Sequence, residues 1–149
     1  MKIEFDDNYF MTKAIDEAKI ALSKGEVPIG AVIVADNKII ARAHNMVEAL
    51  NDVTAHAEIL AITSASNYIG GKYLENCSIY VTLEPCQMCA GALYWSRISK
   101  IYYGADDPKR GFNKMGTKLH PKTKFFGGIL QNECKNLLDK FFISRRNLN

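Results

Sequence analysis

Cys86 and Cys89, three residues apart in TLEPCQMCAGA, stand where a β-rich apolar run, CSIYVTL, gives way to a helical one. This junction confines the chain to a buried strand that leads directly into a helix. Residues three apart are neighbours on a helix, so both sulfurs share one face near its N-terminus. Pro85 suits the first helical position, which sets the predicted helix start at Pro85. The positive end of a helix favours thiolate, the form of cysteine that binds metal. The pair is a disulfide, a redox switch or half of a metal site.

The rest of the chain narrows the choice. The opening MKIEFDDNYF has no apolar export segment, and no run of about 18 apolar residues follows. The expected compartment is the cytosol, where thiols stay reduced, and no membrane span is expected. The 149 residues fit one domain, 1–149. A domain of that size buries roughly 70% of its unfolded surface and needs no disulfide staple.

Upstream, TAHAEILAITSAS reads as a helix capped by Thr54, with His56 in its first turn. His56, Cys86 and Cys89 make a nitrogen and sulfur set that suits zinc. The spare thiols, Cys77 and Cys134, fall at a strand start and on the apolar stripe of the last helix, and they read as small core residues. With three protein ligands, the fourth position is open, the arrangement of catalytic zinc. Glu58 lies two residues after His56; it is a dipole-favoured first-turn residue by position and, beside this ligand set, a group that can approach the same metal.

Around these motifs the order reads α-β-β-α-β-α-β-loop-α, one α/β domain with helices covering a central sheet. DDNYFMTKAIDEAKIALSKG is helical with Asp6, Asp7 and Asn8 as cap candidates and Gly25 as its stop. IGAVIVADNKIIARAH is a hairpin turning at Asp36-Asn37. Residues 105–124 read as a basic loop. NECKNLLDKFFISRR is a final helix with Cys134, Leu137, Leu138, Phe141 and Phe142 on one stripe.

The net charge of +3 conceals an asymmetry. Residues 1–84 carry 7 Lys/Arg against 12 Asp/Glu, and residues 85–149 carry 12 against 4. Lys109, Arg110, Lys114, Lys118, Lys122 and Lys124 fall in a stretch without an acid between Asp107 and Glu133. They form either a solvated loop or a basic face for a polyanion. Tyr94 and Trp95 read as core or dimer interface.

His56-Ala57-Glu58 followed by Pro85-Cys86-Gln87-Met88-Cys89 matches the H-x-E…P-C-x-x-C signature of zinc nucleobase deaminases. GEVPIGAVIV, NDVTAHAEILAI, YVTLEPCQMCAGAL and YGADDPKRG extend this into a resemblance to the bacterial tRNA-specific adenosine deaminase family from about Phe10 to Arg146. The resemblance implies a cytidine deaminase-like three-layer α/β sandwich with a mixed five-stranded sheet flanked by helices. It implies one Zn2+ per chain, a homodimer, and a tRNA anticodon stem-loop whose wobble adenosine becomes inosine.

Position by position, it implies zinc ligands at His56, Cys86 and Cys89, a proton shuttle at Glu58 and base contacts from Asn45 and the Ala57 backbone. Val27, Pro28 and Ile29 become a loop beside the pocket, and Asp107 lies near the everted nucleotide. Phe142, Arg145 and Arg146 lean on the anticodon loop, with Lys109 and Arg110 as further RNA contacts. Read without the resemblance, Asn45 is a turn residue after a strand. The stretch from Gly104 to Gly128 is shorter than in the family. ALYWSR, from Ala92 to Arg97, also resembles guanine deaminases, which implies a second substrate class, a free base such as guanine. A third reading is a zinc-stabilised binding module without catalysis.

Overall fold

The computed structural model describes residues 3–147. The chain enters helix α1 (Asp7–Ser23) through Asp6, whose carboxylate accepts the Tyr9 N–H at 2.8 Å. Gly25 follows the helix at φ 77°, the left-handed conformation that glycine adopts without a Cβ penalty. β1 (Gly30–Ala35) and β2 (Lys38–His44) form the expected antiparallel hairpin, turning on Asp36 and Asn37, both left-handed. The chain continues as α2 (Val47–Leu50), α3 (Ala57–Ile69), β3 (Cys77–Leu83), α4 (Gln87–Ser96), β4 (Lys100–Ala105), α5 (Phe112–Met115), β5 (Lys124–Phe126) and α6 (Gln131–Arg146).

The five strands lie in the order β2-β1-β3-β4-β5. β1 runs antiparallel to both β2 and β3, while β3, β4 and β5 are parallel, so the sheet is mixed as the resemblance implied. β1 is buried on both faces, which is why GAVIVA is a continuous apolar run. Its Val32 and Val34 pack with Tyr80 of β3 against Phe10, Met11 and Ala14 of α1 and Cys134 and Leu138 of α6. Ala31 and Ile33 pack on the other face with Ile79 and Val81 against Ala57, Ala61 and Ala65 of α3 and Leu93 of α4. Cys77 and Cys134 are buried among these core residues, as expected.

Register gathers the functional loops at one end. Gly30 pairs with His44, Ala31 with Val81 and Leu83 with Ala105. The start of β1, the end of β2 and the ends of β3 and β4 therefore meet, and the loops that carry the motifs open from that edge.

Three elements depart from the expectation. α2, α5 and β5 are three or four residues long, too short to leave a periodic signature, and the last two fall in the expected 105–124 loop or at its end. The α6 stripe is narrower than expected: Cys134, Leu138 and Phe141 are buried, whereas Phe142 is 49% exposed. Trp95 is 76% exposed and so is not core. Among the described residues, no helix is long and apolar enough to cross a membrane.

Candidate active site

α3 begins at Ala57, and its N-cap is His56 itself, with extended φ −75° and ψ 153°. Thr54 is not the cap. Asp52 accepts both its N–H and its hydroxyl at 2.8 Å, which closes a turn ahead of the helix and aims His56 inward. The second ligand helix is displaced in the same sense. α4 starts at Gln87 with Cys86 as N-cap, so Pro85 precedes the helix instead of opening it. The Pro85 carbonyl is occupied by the Phe112 N–H at 2.9 Å, and Cys86 pairs with Gly111 as an isolated bridge, which holds this loop extended.

His56 Nδ1 lies 3.7 Å from Cys86 Sγ and 3.5 Å from Cys89 Sγ. A tetrahedral zinc with ordinary Zn–N and Zn–S bonds sets that separation at about 3.6 Å. The three donors therefore already stand at metal-ligand spacing. Among the described residues, no further His, Cys, Asp or Glu donor joins this cluster. A set of two thiolates and one imidazole fits zinc and leaves a coordination position for water or substrate.

The electrostatics agree with that use. A hydrogen bond from the Cys89 thiol, helped by His56, holds Cys86 at about 4 against the opposing effect of burial. Cys89 is pushed up by donating to Cys86 and by burial. His56 is raised chiefly by its bond to Cys86. Glu58, in the first turn of α3, is 4% exposed, and burial pushes its carboxyl up to about 7. It is near enough to Cys86, His56 and Cys89 to feel their charges but stands outside the three-donor cluster. A carboxyl that titrates near neutrality beside a metal site is placed to carry protons.

The remaining expected residues fall around this centre. Asn45 is 5% exposed, and its N–H donates to the Ile29 carbonyl at 3.0 Å. Pro28 and Ala57 are fully buried, while Val27 and Ile29 are half-buried. The Asp107 carboxylate accepts the N–H groups of Lys109 and Arg110 at 3.1 and 3.0 Å, so it first serves its own turn. Lys109 and Arg110 are exposed within two residues of the Gly111 bridge to Cys86. Of the basic residues, Lys124 lies away from Cys86: it pairs in register with Lys100, at the opposite end of the parallel strands. Phe142 and Arg146 are exposed on α6, whereas Arg145 donates to the Gly25 carbonyl at 2.6 Å.

Two buried carboxylates were not singled out by the sequence reading. Glu84, 4% exposed, accepts the Asp107 N–H through Oε1 and the Asn113 N–H through Oε2, both at 3.0 Å. A Cβ at Gly111 would overlap its carboxyl, so glycine is required there by close approach. Glu26, 1% exposed, accepts the Glu48 and Ala49 N–H groups at 3.0 and 2.7 Å and so caps α2 from a distance. The available signal was local: each stands beside apolar residues and near a proline, in GEVPIG and TLEPC, where a carboxylate needs partners.

Residues 5–105 match the cytidine and deoxycytidylate deaminase zinc-binding region. The chain is 46% identical over 142 residues to a tRNA-specific adenosine deaminase of Bacillus subtilis, covering 91% of this chain and 88% of that protein. It is 48% identical over 145 residues to the protein of the same name from Aquifex aeolicus, covering 93% and 95%. A solved structure from work on A-to-I editing by tRNA:A34 deaminases at the wobble position of transfer RNA superposes with a TM-score of 0.83 at 43% identity, covering 87% of this chain and 99% of the other. The paired ligand loops, the mixed sheet and these likenesses agree: the chain belongs to the zinc-binding cytidine and deoxycytidylate deaminase family, within its tRNA-specific adenosine deaminase branch.

Proposed function

We propose that this protein hydrolyses the wobble adenosine of a tRNA anticodon to inosine, as a single deaminase domain acting in the cytosol. The observation that carries the reading is Glu58, a buried carboxyl held at about 7 beside a three-donor zinc cluster, in a chain with relatives of that name.

His56, Cys86 and Cys89 would hold the metal. Bound zinc acts as a Lewis acid and lowers the pKa of a coordinated water toward neutrality. Glu58 accepts one proton from the attacking water and delivers it to the ring nitrogen beside C6 as the water oxygen bonds to C6. Glu58 then takes the proton of the new C6 hydroxyl and passes it to the amino group, the C6–N bond breaks, and ammonia leaves with inosine remaining. Burial raises the Glu58 carboxyl from its ordinary value, which suits one group acting as base and then acid.

Asn45 offers its amide to the base, and Ala57 offers a first-turn backbone N–H that the helix itself does not use. Val27, Pro28 and Ile29 form the apolar wall. A stacked base does not reach these groups, so the nucleotide is everted from its loop, where unstacking costs least. Asp107 shapes the turn that presents Lys109 and Arg110 to phosphate, and Phe142 and Arg146 extend the contact from α6.

A homodimer is supported by an exposed apolar surface on the outer ends of α3 and α4. Trp95, Tyr68, Ile69 and Tyr73 are 76%, 64%, 46% and 40% exposed around a hollow of about 510 Å3 lined in part by Trp95 and Tyr73. Large exposed apolar residues grouped in this way mark association surfaces.

The test pairs two substrates. Purified zinc-loaded protein is incubated with a tRNA bearing wobble adenosine and, separately, with free guanine. Sequencing of the tRNA reads inosine as guanosine, and ammonia release reports guanine turnover. Conversion of the tRNA alone is expected. Guanine turnover with unchanged tRNA overturns the substrate and leaves the zinc chemistry standing.

A further inference from the structure

Arg145 sits at the end of α6, a position that reads as free positive charge for RNA. Its guanidinium is instead engaged within the chain. It donates to the Gly25 carbonyl at 2.6 Å, across 120 residues of sequence, and lies 4.9 Å from the centre of the Phe141 ring. Phe141 is buried, so the stack fixes the side chain against the body of the protein.

Gly25 opens the segment that becomes the pocket wall. Glu26 follows it, buried, and holds the N-terminus of α2 through the Glu48 and Ala49 N–H groups. Ile29 accepts the Asn45 N–H, and the Met46 N–H donates to the Ala55 carbonyl, one residue before His56. Three hydrogen bonds, joined by the backbone of Gly25–Ile29 and Asn45–Met46, therefore connect α6 to Ala55, the neighbour of the first zinc ligand.

We infer that Arg145 is a positioning residue for the base pocket: by clamping Gly25 it seats the Val27–Ile29 wall and Asn45, instead of binding phosphate. The inference rests on the tRNA reading for its kinetic and affinity arms. Arg145 is exposed on α6 together with Phe142 and Arg146. RNA seated on that side presses on the helix that holds the wall, so engagement of the anticodon loop and shaping of the pocket are mechanically joined.

The experiment compares wild type, R145A, R145K and R146A, all zinc-loaded. Hydrogen exchange without RNA is followed in peptides covering residues 24–30 and 45–50. Single-turnover conversion is measured at saturating tRNA, and RNA affinity is measured against salt. R145A is expected to speed exchange in both peptides, to slow conversion about tenfold, because small misplacements near reacting groups are costly, and to leave the salt slope unchanged. R145K keeps the charge but loses the planar fork, so conversion stays below wild type. R146A is expected to lower the slope by about one and to leave exchange in both peptides at the wild-type rate.

A fall of about one in the slope for R145A, with normal exchange and a normal saturated rate, makes Arg145 a phosphate ligand and overturns the inference. Full recovery of rate in R145K overturns it as well. If wild type does not convert tRNA, the substrate reading fails, while the exchange comparison still decides whether Arg145 holds the wall.

Discussion

Glu84 accepts the Asp107 amide at 3.0 Å while standing two residues before the zinc ligand Cys86, so one carboxylate joins the metal loop to the loop that carries Asp107, Lys109 and Arg110. Its second oxygen holds the Asn113 N–H on the far side of the same loop. Replacing it by alanine leaves two inward-facing amides without their acceptor. E84A is expected to destabilise the zinc-loaded protein by about 2–4 kcal/mol, on the scale for orphaned buried donors. Urea unfolding measures this, and a loss below about 0.5 kcal/mol, the range of ordinary surface changes, would show that the loop stands without Glu84.

Glu58 is the proton carrier in the proposed reaction and no part of the three-donor cluster. E58Q therefore keeps its zinc, read by elemental analysis, and loses about 10^2- to 10^4-fold in single-turnover rate. Retained turnover would move the proton transfers to another group.

Cys86 is held at about 4, below the ordinary thiol value of 9.0. A depressed pKa means the thiolate persists at every pH above it. In zinc-depleted protein, alkylation of Cys86 by iodoacetamide is expected to keep a nearly constant rate from about pH 5.5 to about pH 8, where an ordinary thiol gains about tenfold per unit. Cys134, pushed up to about 12 by burial, stays unreactive across that range, and added zinc protects Cys86. Mass spectrometry of the labelled peptides decides; a rate that climbs with pH contradicts the thiolate assignment.

Basic residues near Cys86 and those far from it are expected to behave differently. K109A combined with R110A should weaken tRNA binding and reduce the magnitude of its salt slope by about one to two. K124A, at the opposite end of the sheet, should leave both unchanged. Filter binding across a salt series makes the comparison, and equal effects would restore a single continuous basic face.

W95E places a charge in the exposed apolar surface of α4. It is expected to shift the protein from dimer to monomer in sedimentation equilibrium, because a charge in an apolar interface is left desolvated. A wild-type monomer removes the dimer proposal outright.

The ligand set was legible because Cys-x-x-Cys after a strand and His-x-Glu at a helix start each have few structural outcomes. The hairpin was legible for a related reason: Asp36-Asn37 tolerates the positive φ that its turn demands. The caps were misassigned by two residues at α3 and at α4. At α3, Thr54 has the right chemistry to cap, but Asp52 captures its donors first, and only the folded turn reveals that competition. β5 was hidden because three residues carry no period and its pairing with β4 is set from a distance. Glu26 and Glu84 were passed over because a carboxylate reads as surface until the backbone amides around it are counted. The bond from Arg145 to Gly25 was hidden because its partner lies 120 positions away.

Both helices that carry the ligands begin on a ligand. His56 caps α3 and Cys86 caps α4, and both side chains belong to the same three-donor cluster. Side chains that ordinarily secure a helix end face the metal cluster instead. A single bound ion would tie off two helices at once, so that zinc loading would stabilise the pocket floor as well as supply the chemistry.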